Sequence, residues 1–164
     1  MTSVRPLAST TSLAHSAVYD LVLLAHVLTA LIGLGAIVVA AGCALALSRA
    51  GTASEALRRY YRPGVNWAGR VVFLVPVFGV ALIAMSHGEW SFSDAWVGIG
   101  LVLWLVVAVV AELVLWPAER RLQAAVGEPS AAADQRSLCL RLVAVAAVLA
   151  LVLVAATVVM VAKP

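Results

Sequence analysis

Charge is what this sequence has least of. Asp, Glu, Lys and Arg make up 12% of its 164 residues, and hydrophobic residues make up 64%. A soluble domain is about half apolar and about one quarter charged, so the composition excludes an ordinary water-soluble globule and points to a membrane protein. Lysine is almost missing: Lys163 is the sole example beside ten arginines, a balance that, with so much Ala and Val, fits a GC-rich bacterial genome. Cysteine is limited to Cys43 and Cys139 without a C-x-x-C spacing, which argues against a structural disulfide and for small packing residues. The N-terminal 17 residues lack the short apolar core of a secretory signal and read as a flexible tail. No H-E-x-x-H, P-loop or G-x-S-x-G occurs, and no basic-aromatic interleaving marks a nucleic-acid surface. The missing motifs lean against an enzyme, although a cofactor can carry chemistry without them.

Four long apolar segments remain. We place helices at about 18–48, 65–87, 94–116 and 136–162, all in one domain spanning 18–164. The fold class is therefore all-α, a four-helix transmembrane bundle. The first helix organises it. Leu21–Leu47 carries no formal charge, and at about 1.5 Å per residue it exceeds a hydrocarbon core of about 30 Å. Stepping in sevens, His26, Gly33 and Ala40 share one line, and Thr29, Ala36 and Cys43 the next. Such a seam lets another helix come close, so His26 should face protein.

Arginine placement predicts orientation. Arg49, Arg58, Arg59 and Arg62 follow the first helix, and Arg120, Arg121 and Arg136 follow the third, whereas the second connection holds Glu89 and Asp94 and no Lys or Arg. Basic loops favour the cytoplasm, which puts both termini on the outer side of a multi-pass inner-membrane protein. Anionic lipid is then expected at Arg58, Arg59, Arg62, Arg120 and Arg121, and nucleic acid is not. A protein partner or a homo-oligomer stays open. The spacing of Thr52 and Glu55 suggests a capping box for a short surface helix, which Pro63-Gly64 ends. Pro76 should kink the second helix, and Pro117 should break or kink the third. Gly127-Glu128-Pro129 reads as a turn, with Ser130 as the next cap.

Charged and ionisable residues inside spans are the functional candidates. Arg70 and Glu112 should both lie about 6–8 Å inside the arginine end, where they are expected to pair directly or through Arg141. Snorkelling to headgroups is the alternative. His26 has three readings. It bonds a carbonyl on the next helix, such as the one Pro76 frees; it ligates haem iron or a metal ion, with His87 as the candidate second ligand; or it serves a proton path. His15, Asp20, His87, Glu89 and Asp94 form a loose outer group that either binds copper or zinc or is solvated at the interface.

The run Leu24-Ala25-His26-Val27-Leu28 through Gly33-Leu34-Gly35, then Val75-Pro76, Gly79, Trp96 and Pro117-Ala118-Glu119-Arg120-Arg121-Leu122, resembles a bacterial family of predicted integral membrane proteins of unassigned function. That family is similar in layout to the copper-resistance D and HemJ-type membrane proteins. The second resemblance implies haem b on a first-helix histidine, which by position is His26. The HemJ-type pattern also places a lysine within a later helix, and this chain has none there. The leading expectation is thus an accessory, scaffold or small-solute handling protein, with a haem- or metal-binding redox role for His26 as the alternative.

Overall fold

Two prolines shape the bundle without ending a span. The computed structural model describes residues 8–50, 53–126 and 132–162, and no strand occurs among them. Helix α1 runs Ala8–Ala50, α2 Glu55–Tyr60, α3 Trp67–Arg70 and α4 Leu74–Met85. They are followed by α5 Ala95–Val110, α6 Trp116–Val126 and α7 Ala132–Ala162. A 3₁₀ turn, Val71–Phe73, joins α3 to α4, and a π-helical turn, Ala111–Leu115, joins α5 to α6. Counted continuously, these give four helices long and apolar enough to cross a membrane.

Helix α1 begins at Ala8, inside the segment read from sequence as a tail. Once a span has nucleated a helix, each further residue needs only propagation, so Ser and Thr can extend it outward. The short helix appears as expected, but its cap is Ser54, whose hydroxyl accepts from Leu57 N at 3.4 Å. Thr52, the Gly127-Glu128-Pro129 turn, Ser130 and Lys163 lie outside the described residues.

Pro76 has no N–H to give the carbonyl four residues back, and the winding tightens to 3₁₀ over Val71–Phe73, just before it. The freed oxygen belongs to Val72, and Trp104 Nε1 on α5 donates to it at 2.9 Å. This bond turns the half-buried Trp104 ring toward the bundle. At Pro117 the third span is distorted, not broken. The chain widens into the π turn, where Trp116 N reaches back to Ala111 O, and α6 continues through the proline. A π bulge shifts the bonding register by one residue and so accommodates a missing donor.

Helix α1 is the spine, packed on α7 along one side and on α3–α4 along the other, while α7 also packs on α5 and α6. Its buried positions Thr29, Gly33, Ile37, Ala40, Ala44 and Leu47 recur at three- and four-residue steps; Thr29, Gly33 and Ala40 belong to the seam expected from sequence, whose His26, Ala36 and Cys43 are half-buried at its edge. A Cβ on Gly33 would lie 2.9 Å from Val72 Cβ and 3.2 Å from Val72 Cα, so glycine is what permits this crossing. The outward faces of α1, α5 and α7 expose Leu31, Val38, Leu105, Val109, Leu151 and Val158, as lipid-facing helices should.

Candidate functional site

His26 lies on the α1 seam, half-buried, and its Nδ1 bonds Val75 O at 2.9 Å. Two structural details define this contact. The ring packs on Gly79, where a Cβ would stand at van der Waals distance, 3.4 Å from His26 Cε1. The carbonyl used is Val75's, not the Val72 carbonyl that Pro76 frees and Trp104 takes. If Nδ1 carries the proton it donates to that oxygen, and Nε2 keeps its lone pair. His87 sits in the connection after α4 with φ of 53°, exposed at its surface. Aromatic rings gather at that end: Tyr19 and Trp90 lie 6.2 Å apart with their planes tilted, and Trp90 meets Trp96 edge-on at 5.9 Å. Asp94 precedes α5 but does not cap it; its Oδ2 accepts from Ser91 N at 2.8 Å. Among the described residues no three His, Cys, Asp or Glu side chains cluster as metal ligands. The side chain of His15 lies outside those described.

Arg70 and Glu112 are not brought together. The buried face of the third span runs Val107, Ala111, Leu115, Glu119 and Leu122, and Glu112 stands one residue, about 100°, off it. Its side chain is exposed, as is that of Arg141 on α7. Arg70 instead places its guanidinium 4.8 Å above the Trp116 ring. The stacking uses the planar cation against an aromatic face.

The carboxylate that does enter the bundle is Glu119, 5% exposed. Its Oε1 accepts from Asn66 Nδ2 at 3.2 Å and, through a longer contact of 3.4 Å, from Tyr60 Oη. Asn66 serves twice, because its Oδ1 also accepts from Gly69 N at 3.1 Å and so caps α3. Tyr61 lies beside Tyr60 at 2% exposure, and its hydroxyl has no hydrogen-bond partner among the described residues. Burial, followed by the charge of Glu119, pushes the Tyr60 hydroxyl well above the usual tyrosine range. Burial raises Tyr61 likewise, with neighbouring Cys43 as the next contribution. Both cysteines are free thiols, and Cys139 is fully buried. This constellation ties α2, α3 and α6 into one polar knot at the arginine end. Sequence reasoning passed over it, although Leu115, Glu119 and Leu122 repeat at helical steps and should have turned Glu119 inward.

A family model described as "predicted integral membrane protein (DUF2269)" matches residues 20–164 of the chain. No curated protein matches. No solved structure matches either.

Proposed function

The chain belongs to the DUF2269 family of predicted integral membrane proteins, and on that premise we propose that it is a non-catalytic component of a bacterial inner membrane, an accessory, scaffold or small-solute handling protein with both termini outside. The observation that carries this reading is how its intramembrane polar groups are used. His26 holds α1 to α4 through Val75 O, Trp104 holds α5 to the turn before α4 through Val72 O, and Glu119 holds α6 to Asn66 and Tyr60. Each bond ties a helix to another segment of the bundle; the first two take carbonyls one turn apart on the second span, the third lies at the arginine end, and each side chain is used as a tie. In this reading Arg58, Arg59, Arg62, Arg120 and Arg121 lie among anionic headgroups on the cytoplasmic side.

One observation favours the second reading, haem b or a metal ion on His26. A ligating histidine commonly gives its other ring N–H to a backbone carbonyl, as Nδ1 toward Val75 O would here. His26 would then be the residue holding the group, which would supply electron transfer, and His87 would have to approach it from the connection after α4.

An absorption spectrum and a thermal unfolding curve of the purified protein, with His26→Ala alongside, decide between them. The first reading expects a featureless visible spectrum in both and a less stable variant, because a helix–helix tie is lost. A Soret band in the native protein that disappears in His26→Ala would refute it.

A further inference from the structure

A crevice of about 250 Å³ opens between α1 and the start of α3. Ile32, Ala36, Val39 and Ala68 make it apolar, and it ends at Tyr60 and Asn66. Asn66 also lines a smaller cavity of about 30 Å³, together with Arg70, Trp116, Glu119 and Arg120. One side chain therefore joins a hydrocarbon-lined slot to a charged pocket. The slot faces outward, for Ile32 and Val39 are among the exposed apolar residues of α1, and acyl chains surround that face in a bilayer. The pocket sets two guanidinium groups against one carboxylate, whose Oε1 already accepts from Asn66 and Tyr60. Arg70 is held in place by the Trp116 ring, so it loses little freedom on taking a ligand. Next to Asn66, the indole of Trp67 is 74% exposed, as suits a side chain at headgroup depth.

We propose that the slot and the pocket together hold one phospholipid with an anionic headgroup, an acyl chain lying along Ile32, Ala36 and Val39 and the phosphate diester on Arg70 and Arg120. Arginine suits this ligand because its planar fork matches phosphate oxygens in pairs. The excess of positive charge at the pocket favours phosphatidylglycerol over a zwitterionic lipid. The inference rests on the reading that the arginine end lies among headgroups.

Native mass spectrometry of the full chain, offered equal amounts of phosphatidylglycerol and phosphatidylcholine with the same acyl chains, tests it. One phosphatidylglycerol per chain should be retained, about tenfold over phosphatidylcholine, as one or two arginine–headgroup interactions imply. Arg70→Gln or Arg120→Gln should lower that preference severalfold. Val39→Trp, at a position the fold leaves exposed, should abolish retention by filling the slot. Equal retention of the two lipids, indifference to either kind of variant, competition by glycerol phosphate without acyl chains, or a second copy of the chain displaced by Val39→Trp would each overturn it. The underlying reading is measured separately, by the depth of a spin label at Arg59→Cys in a Cys43→Ala/Cys139→Ala background. A label at headgroup depth together with unselective retention defeats the lipid site alone, whereas a label in bulk water defeats the placement on which it rests.

Discussion

Gly33→Ala should damage this bundle far more than the same change two residues later at Gly35. The new methyl at position 33 would lie 2.9 Å from Val72 Cβ and 3.2 Å from Val72 Cα. Carbon atoms sit comfortably at about 3.5–4.0 Å, so the helices must separate by about half an ångström to one ångström at the crossing. One of the clashing atoms is backbone, which has no rotamer to escape into. The displaced segment includes the Val72 carbonyl that Trp104 holds at 2.9 Å and adjoins the Val75 carbonyl that His26 holds at 2.9 Å. Overpacking of this kind costs about 1–3 kcal/mol. A Cβ on Gly35 meets nothing within 4 Å, so Gly35→Ala should be neutral or gain up to about 1 kcal/mol from helix propensity. Reversible unfolding in mixed micelles, followed by circular dichroism and tryptophan fluorescence, reads both. If Gly33→Ala were as stable as Gly35→Ala, the close α1–α3/α4 crossing and the account of the seam built on it would be refuted.

Other expectations follow from single contacts. Trp104→Phe keeps the ring against Phe73 but removes the donor to Val72 O, and in the same unfolding assay it should cost about 0.5–2 kcal/mol; no loss would mean the proline-freed carbonyl needs no partner. Tyr60→Phe should destabilise slightly by depriving Glu119 of a donor, whereas Tyr61→Phe, which removes a buried hydroxyl without a partner, should be neutral or stabilising by about 1 kcal/mol; the reverse order would contradict the polar knot. Because folding raises both tyrosine pKa values, their contribution to stability is complete below about pH 10, the unfolded value, and declines as the pH climbs through that value toward the folded ones. An alkaline titration followed by tyrosinate absorbance should therefore show Tyr60 and Tyr61 ionising only as the bundle unfolds, and ionisation of either before unfolding would count against their burial. In a Cys43→Ala/Cys139→Ala background, a membrane-impermeant thiol reagent applied from outside should label Gly88→Cys and spare Arg59→Cys, and the opposite pattern would invert the proposed topology.

How far the sequence could be read depended on whether the signal was periodic or pairwise. Hydrophobic runs of span length and the heptad line of His26, Gly33 and Ala40 are periodic, and the bundle and its seam follow from them. Where a proline or a cap decided the local winding, the outcome turned on neighbours that are distant in sequence. Pro117 alone predicts a break or a kink without deciding between them, and the π turn before it, anchored by Trp116 N on Ala111 O, lets the helix pass. Arg70 and Glu112 were matched by depth, which is a single coordinate; the azimuth around the helix sends Glu112 outward and brings Glu119 in.

The same distinction explains why tryptophan recurs wherever this bundle departs from regular helix. In a lipid-facing bundle a backbone carbonyl released by proline has no water to turn to, so a donor must come from another helix, and it must reach across a seam while remaining apolar elsewhere. Indole meets both demands: Trp104 donates to Val72 O and packs edge-on with Phe73 at 6.2 Å. Trp116, at the end of the π turn, meets the same Phe73 at 5.6 Å and supports Arg70 on its other contact. Phe73, on the 3₁₀ turn before Pro76, is thus clasped by two tryptophans of the third span, Trp104 and Trp116. The Phe73 ring therefore links the two irregular turns, and the geometry that Pro76 imposes on one span is buttressed by the span that Pro117 widens. Phe73→Ala should consequently loosen both turns together: tryptophan emission from positions 104 and 116 should shift and unfolding should broaden, while a change confined to the Trp104 environment would show the turns to be independent.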